Sequence, residues 1–464
     1  MRGSLALMIP SIVKARMTQN ASFESVSTDS RTAGPGALFV ALRGETFDGH
    51  DFLEEVAGKG VAAVVVEQLP AGLKVPAIVV PDTLTALGQI ANFWRANFEI
   101  PVIGVTGSNG KTTVKEMIAA ILAAAHGEEG RLATRGNLNN EIGVPLTLMR
   151  LEASHKSAVI ELGMNHPGEI GRLTTIAAPT IGMVNNAQRE HQEFMHTVEA
   201  VAQENGSVIK GLPDNGTAVF PSDDTYTALW QGLARSRGRR KIVTFGLDDQ
   251  ANVSATHRAA DFGSEMTVTV AGIGMGDGTF ALRLAAFGLH NVRNALAAIA
   301  CAVAAGIGRD AIVRGLEAFV PVSGRLQRKQ AANGATVIDD TYNANPDSVR
   351  AAIDVLAACP EPRVLVLGDM GEVGTQGREF HEEIGAYAAS RGIATVLATG
   401  ELARHMAAAG ARHFEKFDEL LAALDEKLGT KSDATVLVKG SRFMKMERVV
   451  QHLLGQHNTG KEAH

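Results

Sequence analysis

Cysteine is scarce in this chain, which has 464 residues and only two cysteines. Cys301 lies in an alanine-rich run and Cys359 directly precedes Pro360. The sequence therefore contains neither a disulfide framework nor a zinc cluster built on cysteine. This composition favours a reducing compartment.

Long apolar runs and an excess of positive charge are missing as well. No uncharged apolar run reaches the roughly 18 residues that a membrane span needs. Pro10 breaks the short apolar segment at the N-terminus, and no small-residue cleavage site follows it. Lysine and arginine number 44 against 50 aspartates and glutamates, so the net charge is -6, which argues against a general nucleic-acid binder. We expect a cytoplasmic protein with no membrane span and no nucleic-acid partner.

The chain is longer than one hydrophobic core usually serves, and we predict three domains. Their predicted limits are 1–98, 99–320 and 321–464, because the segments 99–101 and 319–324 hold proline or glycine where few contacts need to cross.

Short β-branched runs alternate with helical runs, which is typical of the α/β class. In the central domain this alternation predicts a doubly wound, mostly parallel sheet with ligands at the carboxyl ends of its strands. We expect a smaller α/β domain before it and a Rossmann-like α/β domain after it. The predicted strands are 37–42, 62–67 and 77–80 in the first domain, 102–105, 158–163, 181–186, 217–221 and 241–246 in the second, and 335–340, 363–367, 395–399 and 435–439 in the third.

The segment 100–125 has the order of elements that a phosphate site requires. A predicted strand is followed by a turn with Gly107 and Gly110, and a helix is predicted to begin at Val114. Two glycines let backbone N–H groups surround a phosphate, to which a helix N-terminus adds unpaired donors. The predicted P-loop residues are Thr106, Gly107, Ser108, Asn109, Gly110, Lys111, Thr112 and Thr113.

Within this turn, Lys111 is expected to meet the β- and γ-phosphates, and the Thr112 hydroxyl a Mg²⁺ ion. The general P-loop pattern has a glycine five residues before Gly110, where this chain has Val105, so the match is to a shorter variant, T-G-x-x-G-K-T-T. A glycine turn can also be purely structural, but the attached Lys-Thr-Thr and the following helix favour nucleotide binding.

Polar groups also follow other elements of the central domain. Glu161 ends a predicted strand, where it could supply a hard oxygen to a divalent ion or only cap the next helix. His191 follows the strand 181–186 among side chains able to bind metal, although a single histidine in a loop is usually only solvated. Asn291 and Asn294 open an alanine-rich helix, and their amides could contact adenine or cap that helix.

Three predicted strands of the last domain end in polar residues, in groups that begin near Asp339, Gly368 and Lys439. Each group alone could be capping chemistry, but three on one edge favour contact with a ligand. In the first domain, the segment 27–52 is rich in hydroxyls and turn residues, and it could be a polar surface loop or a binding site.

Seven segments, taken in order, resemble the Mur ligases of peptidoglycan synthesis. They are TGSNGKTTVKEM, RGNLNNEIGVPLTL, ELGMNHPGEI, GLHNVRNALAA, DDTYNANPDS, LGDMGEVG and KGSRFMKME. The resemblance covers nearly the whole chain, because the segment 27–52 is similar to the uridine-nucleotide domain of that family. TYNANPDS with LGDMGEVG is the most specific part, and it is similar to the members that add D-alanyl-D-alanine to UDP-N-acetylmuramoyl-tripeptide.

The resemblance implies a ligase that depends on ATP and Mg²⁺, and we expect a monomer, although the sequence alone does not determine the oligomeric state. The tripeptide carboxylate would attack the γ-phosphate of ATP, and the amine of D-alanyl-D-alanine would displace phosphate from the resulting acyl phosphate. Two anions repel each other by about 4 kcal/mol at about 4 Å and an effective dielectric of about 20. Lys111 and a Mg²⁺ ion held by Thr112, Glu161 and His191 would offset this repulsion, so we expect Lys111, Glu161 and His191 to be catalytic.

The resemblance also assigns further contacts. Asn291 and Asn294 would meet the adenine, and Arg325 and Asp340 would complete the ATP site when the third domain closes. The uridine-nucleotide end would be held by Asp29, Ser30 and Arg31, and the dipeptide by Asn343, Asn345, Lys439 and Arg442.

At one position the chain departs from the family pattern. Mur ligases of this kind generally carry a lysine twelve residues beyond the glutamate of a His-x-Glu group, and its carbamylated side chain binds a second Mg²⁺; counting from Glu193, that position is Asn205 here. We expect the second ion to be held by the Asn205 carbonyl oxygen or through water, with no need for added bicarbonate. The alternatives are a weak second site, or Glu204 as the ligand, although one residue along a helix turns a side chain by about 100°.

Two other functions remain open. One is another ligase of the same fold, such as an earlier Mur ligase or a folylpolyglutamate synthase. The other is a non-catalytic nucleotide switch, which would have no reason to carry the polar strand ends of the third domain.

Overall fold

The computed structural model describes residues 1–260, 263–274 and 277–455 and contains three main β-sheets. The N-terminal domain has strands β1 Gly3–Ser4, β2 Arg16–Met17, β3 Ser22–Phe23, β4 Ser25–Ser27, β5 Ala37–Val40, β6 Ala63–Val66 and β7 Ala77–Val79, with helices α1 Leu5–Met8, α2 Leu53–Gly58 and α3 Thr83–Arg95. Its main sheet has the order β2-β7-β6-β5-β4, in which β2 alone runs antiparallel to its neighbour.

The middle domain is built on the largest sheet. Its strands are β8 Val102–Thr106, β9 Arg131–Ala133, β10 Ser157–Glu161, β11 Ile181–Val184, β12 Thr217–Pro221, β13 Lys241–Gly246, β14 Val253–Ala260, β15 Gly263–Val270 and β16 Gly278–Leu284. Its helices are α4 Lys111–His126, α5 Gly143–Leu148, α6 Glu169–Ala177, α7 Gln192–Met195, α8 Val198–Asn205, α9 Ser207–Lys210, α10 Thr227–Arg235, α11 Leu289–Ala304 and α12 Arg309–Glu317.

The order of this sheet is β16-β15-β14-β13-β12-β11-β8-β10-β9, and its strands are parallel from β9 to β14. Successive residues of a strand point to opposite faces, and accordingly Val102 and Ile103 of β8 belong to two different apolar cores. Helices α5 and α6 contribute to one core and α4, α11 and α12 to the other. The predicted doubly wound, mostly parallel sheet is thus confirmed, with an antiparallel end formed by β15 and β16.

The C-terminal domain repeats the α/β pattern. Its strands are β17 Gln327–Gln330, β18 Thr336–Asp340, β19 Arg363–Leu367, β20 Thr395–Thr399, β21 Arg412–Phe414 and β22 Thr435–Lys439, and its helices are α13 Pro346–Ala357, α14 Gly377–Ser390, α15 Phe417–Leu428 and α16 Glu447–Leu453. The sheet order is β17-β18-β22-β19-β20-β21, parallel except for β17.

Two details differ from the expectation. Helix α4 begins at Lys111 rather than Val114, because Gly110 adopts a left-handed conformation with a φ of 82° and lets the chain enter the helix immediately. Many contacts, not few, cross the segment 99–101: Leu87 of α3 shares one core with Leu148 and Leu173. The exact domain limits stay a prediction.

Within residues 1–260, 263–274 and 277–455, the structure has no helix whose length and apolar character would suit a membrane crossing.

Candidate active site

A cavity of about 810 Å³ lies between the carboxyl ends of the middle-domain strands and the C-terminal domain. Predicted site residues on its wall are Ser108, Asn109, Gly110, Lys111, Thr112, Thr113, Glu161, His191, Asn291, Asn294, Arg325, Asp340, Asn343, Asn345 and Lys439. The sequence prediction that these positions come together from two domains is thus supported by their placement.

The phosphate turn is hydrogen-bonded to the residues that directly follow β11. Asn185 and Asn186 each donate an amide hydrogen to the Asn109 carbonyl, over 2.7 and 3.0 Å, and Asn186 accepts from the Asn109 N–H over 2.9 Å. A Cβ on Gly110 would lie 2.5 Å from Asn294 Oδ1, so no other residue fits without a shift. Close packing thus fixes the shape of this turn.

Lys111 reaches back over the turn. Its Nζ donates to the carbonyls of Gly107 and Ser108 over 2.5 and 3.0 Å, and it pairs with Glu190 Oε2 over 3.3 Å. The Glu190 carboxylate is buried, so a cationic partner stabilises its charge. The ammonium group is therefore held at the mouth of the phosphate turn.

Glu161 lies beside Thr112 at the end of β10. Its Oε1 accepts hydrogen bonds from Thr112 Oγ1 over 3.1 Å and from Asn139 Nδ2 over 2.9 Å. Its Oε2 is buried and has no hydrogen-bond partner among the described residues. An unpaired buried carboxylate oxygen is costly unless a cation meets it, so this position fits a divalent ion.

His191 contacts the C-terminal domain. Its Nδ1 lies 2.5 Å from Glu372 Oε2, and its Nε2 lies 3.7 Å from Glu190 Oε2. The histidine contact lowers the pKa of the Glu372 carboxyl below its ordinary value. Within the described part of the chain no three His, Cys, Asp or Glu side chains form a ready-made metal cluster. An ion held at Glu161 and His191 would thus need hydroxyl, phosphate and water ligands too, which is typical of Mg²⁺.

The C-terminal domain brings a cation and an acid to the same place. Arg325 donates to Thr112 Oγ1 over 3.0 Å, and its guanidinium lies 4.1 Å from the centre of the Tyr342 ring. Lys439 pairs with Asp340 over 2.7 Å and donates to the Asn343 carbonyl over 2.8 Å. Burial raises the pKa of Asp340 although the Lys439 charge acts in the opposite direction.

Three further contacts join the two domains. Asn345 donates to Asn109 of the phosphate turn over 2.9 Å. Arg189, which follows β11, donates to Asp347 over 2.7 Å and to Glu383 over 2.7 Å. The C-terminal domain is therefore docked on the phosphate turn through Asn345, the N-cap of α13, and on the segment after β11 through side chains of α13 and α14.

Several predicted site residues have other partners. Thr106 and Gly107 do not line the cavity. The Asn294 amide accepts from Asn185 over 3.0 Å and donates to Asn291 over 3.1 Å, so the amides of Asn291 and Asn294 support the phosphate turn. The remaining residues lie outside the cavity wall: Asp29 and Ser30, the exposed Arg31, which pairs with Asp29, and the exposed Arg442, which pairs with Glu447. Lys439 is buried in its pair with Asp340, which leaves its ammonium little freedom to bind a dipeptide.

The structure shows a protein partner for Asn205, and its expected role at a second ion stays a prediction. Asn205 is fully buried, and its Oδ1 accepts a hydrogen bond from Thr106 Oγ1 over 2.7 Å. The amide carbonyl is thus engaged with the end of β8, and Asn205 does not line the cavity. Glu204 is engaged as well, since its Oε1 accepts from the Ile170 N–H at the start of α6 over 2.8 Å.

The sequence reasoning did not single out four residues with roles at the site: Asn139, Arg189, Glu190 and Glu372. Asn139 and Glu372 lie inside the quoted segments RGNLNNEIGVPLTL and LGDMGEVG. Arg189 and Glu190 belong to the polar group after the strand 181–186, in which only His191 was selected. Each of these four residues lies in a polar segment that the sequence shows, but the residue it contacts lies elsewhere in the sequence.

Comparisons with known proteins agree along most of the chain. The family models for the Mur ligase middle domain, the Mur ligase glutamate ligase domain and the Mur ligase family catalytic domain match residues 105–302, 324–442 and 22–95. The UDP-N-acetylmuramoyl-tripeptide--D-alanyl-D-alanine ligase of Escherichia coli (strain K12) is 38% identical over 436 residues, which cover 93% of this chain and 94% of that protein. The protein of the same name from Haemophilus influenzae is 37% identical over 455 residues, which cover 96% of this chain and 97% of that protein.

Two solved structures are also similar. A crystal structure of MurF from Acinetobacter baumannii has a TM-score of 0.89 at 32% identity and covers 98% of this chain and 99% of that chain. The MurF ligase from Thermotoga maritima in complex with ADP has a TM-score of 0.83 at 25% identity and covers 93% of this chain and 97% of that chain.

Proposed function

The chain belongs to the Mur ligase family, and from this we propose that it is an ATP-dependent ligase that adds D-alanyl-D-alanine to UDP-N-acetylmuramoyl-tripeptide. One observation in the cavity carries the proposal. Arg325 of the C-terminal domain donates to Thr112 of the phosphate turn, whose hydroxyl also bonds to Glu161. A phosphate site that needs two domains suits an enzyme that must bring a nucleotide and a second substrate together.

When bound, ATP with Mg²⁺ would supply a phosphoryl group that gives the tripeptide carbonyl carbon a good leaving group, phosphate. Lys111 and Arg325 place positive charge around the transferred group. Thr112, Glu161 and His191 would hold the ion. Since these side chains are fixed before the reaction, little reorganisation is needed as charge develops.

The reaction has two steps. A carboxylate oxygen of the tripeptide forms a bond to the γ-phosphorus while the bond to ADP breaks. The amine of D-alanyl-D-alanine then attacks the carbonyl carbon, loses a proton, and releases phosphate that retains the carboxylate oxygen. The product is an amide, and one ATP is converted to ADP and phosphate for each bond formed.

The remaining contacts are assigned as part of the same proposal. Asp29, Ser30 and Arg31 follow β4 in the N-terminal domain and take the uridine-nucleotide end of the substrate. Asn343 on the cavity wall takes the dipeptide side.

The assembly and location complete the proposal. We propose a monomer as the active unit. We place the enzyme in the cytoplasm, which agrees with its two unpaired cysteines.

Phosphate release from ATP tests the proposal. The assay uses UDP-N-acetylmuramoyl-tripeptide together with a panel of amino acids and dipeptides. We expect release only when the tripeptide and D-alanyl-D-alanine are both present. Release with glutamate or another single amino acid would indicate a different ligase of this fold, and release that ignores every amino substrate would indicate a nucleotide switch.

A further inference from the structure

Two loops from different domains meet at His191. Its Nδ1 lies 2.5 Å from Glu372 Oε2. The backbones touch as well, since the Glu193 N–H donates to the Glu372 carbonyl over 3.3 Å, and a Cβ on Gly374 would lie 3.3 Å from Glu193 Cα. The contact between the domains at this point therefore involves main chain and side chain together.

Both partners hold an unusual backbone conformation. The φ of His191 is 48° and that of Glu372 is 57°, in the left-handed region that residues with a Cβ rarely adopt. Such a conformation costs on the order of 1 kcal/mol or more, and it persists where surrounding structure and function require it. Here the two strained residues face each other across one contact.

The ring orientation gives this contact a chemical meaning. With Nδ1 at the carboxylate, Nε2 is the nitrogen left for an ion in the cavity. A histidine that binds a metal through one nitrogen usually donates its other N–H to a carboxylate or carbonyl, which fixes the tautomer and the ring. His191 Nδ1 and the Glu372 carboxylate oxygen are in close contact, although they are not aligned as a regular hydrogen bond.

We propose that Glu372 is a positioning residue that orients His191 from the C-terminal domain, so that the affinity of the cavity for its divalent ion depends on the docking of that domain. The inference rests on the proposed function, because it takes His191 as a ligand of that ion. It adds a second-domain residue to the ion site and makes ion binding and closure one event.

A second contact between the same two domains provides another way to disturb docking. Arg189 pairs with Asp347 of α13 and Glu383 of α14, and it does not line the cavity. If docking sets ion affinity through Glu372, then loosening the domains at Arg189 must weaken ion binding even though Glu372 and His191 are unchanged.

The test is a titration of the full-length protein with Mn²⁺ in the presence of saturating ADP, followed by electron paramagnetic resonance without turnover. We expect Glu372→Ala to raise the Kd of Mn²⁺ tenfold or more, the usual cost of losing the partner of a metal-bound histidine. Glu372→Gln, whose carbonyl still accepts from Nδ1, should lie closer to the wild type. Glu379→Ala, an exposed glutamate of the same domain, should bind as the wild type does.

The outcomes separate this inference from the proposed function. If His191→Ala binds Mn²⁺ as well as the wild type does, the proposed ion site is wrong. If His191→Ala loses the ion but Glu372→Ala behaves like Glu379→Ala, only the positioning role is wrong. If Glu372→Gln is as weak as Glu372→Ala, orientation is not the cause. An unchanged Kd in Arg189→Ala would overturn the link to docking.

Discussion

Lys111 is the residue whose removal should affect the reaction most. Its ammonium caps the phosphate turn through two carbonyls, and its side chain adds little to any apolar core. We expect Lys111→Ala to lower kcat at least a hundredfold, about 2.7 kcal/mol, in a chain that stays folded. Lys241→Ala, at an exposed strand end, is the matched control, and a Lys111→Ala enzyme with near-normal kcat would refute the P-loop assignment.

His290 gives the protein a pH dependence of stability. Burial, followed by the charge of Lys439, lowers the pKa of His290 to about 4, whereas an unfolded histidine titrates near 6.5. Between these values the unfolded chain binds more protons, so the stabilisation is complete above about pH 6.5 and is lost as the pH falls towards 4. At pH 5 the loss amounts to at most about 2 kcal/mol.

Thermal unfolding at pH 7 and pH 5 checks this expectation. The wild type should lose more of its melting temperature between these pH values than His290→Gln does. His126→Gln, at the exposed end of α4, should follow the wild type. Equal pH dependence of the wild type and His290→Gln would mean that His290 titrates normally.

At the scale of elements, the start of α13 links a helix cap to the phosphate turn. Asn345 and Ser348 form a reciprocal capping box, and Asn345 also donates to Asn109. Each alanine substitution should destabilise the helix by about 1 kcal/mol. Only Asn345→Ala should also raise the KM for ATP, because Ser348 has no bond to the turn. The KM for ATP of the two variants, measured with the other two substrates saturating, checks this expectation. Equal KM values would contradict it.

Individual elements were largely predictable from the sequence, because β-branched runs such as Val102–Val105 signal buried strands directly. The start of α4 was not, since Lys-Thr-Thr has no apolar periodicity and only the φ of Gly110 shows where the helix begins. Strand β14 and the antiparallel end formed by β15 and β16 were not predicted either. These strands alternate polar and apolar residues, unlike the fully buried strands of the parallel part.

The site was predictable one loop at a time. Thr112, Glu161 and His191 follow strands of one sheet, and the parallel order brings them to one edge. Pairs such as Glu372 with His191, or Arg189 with Asp347, depend on how two domains dock, which no local pattern encodes. For Asn205, the sequence shows the departure from the family pattern, but it does not show the hydrogen bond that Asn205 accepts from Thr106.

At the scale of the whole molecule, the three domains are joined to different degrees. The N-terminal domain shares an apolar core with the middle domain through α3. The C-terminal domain keeps its own cores and meets the middle domain largely through polar and charged side chains around the cavity. Polar contacts exchange with water at low cost, so the C-terminal domain is the one suited to move during the reaction.

Transfer of oxygen from substrate to phosphate is the most direct measurement of the central claim, that this chain makes an amide bond through an acyl phosphate. The terminal carboxylate of UDP-N-acetylmuramoyl-tripeptide is labelled with ¹⁸O, and the phosphate released in the presence of ATP and D-alanyl-D-alanine is analysed by ³¹P NMR. We expect one labelled oxygen in each phosphate released, together with one amide product. Unlabelled phosphate would contradict the account, because the phosphoryl group would then have passed to water and not to the carboxylate.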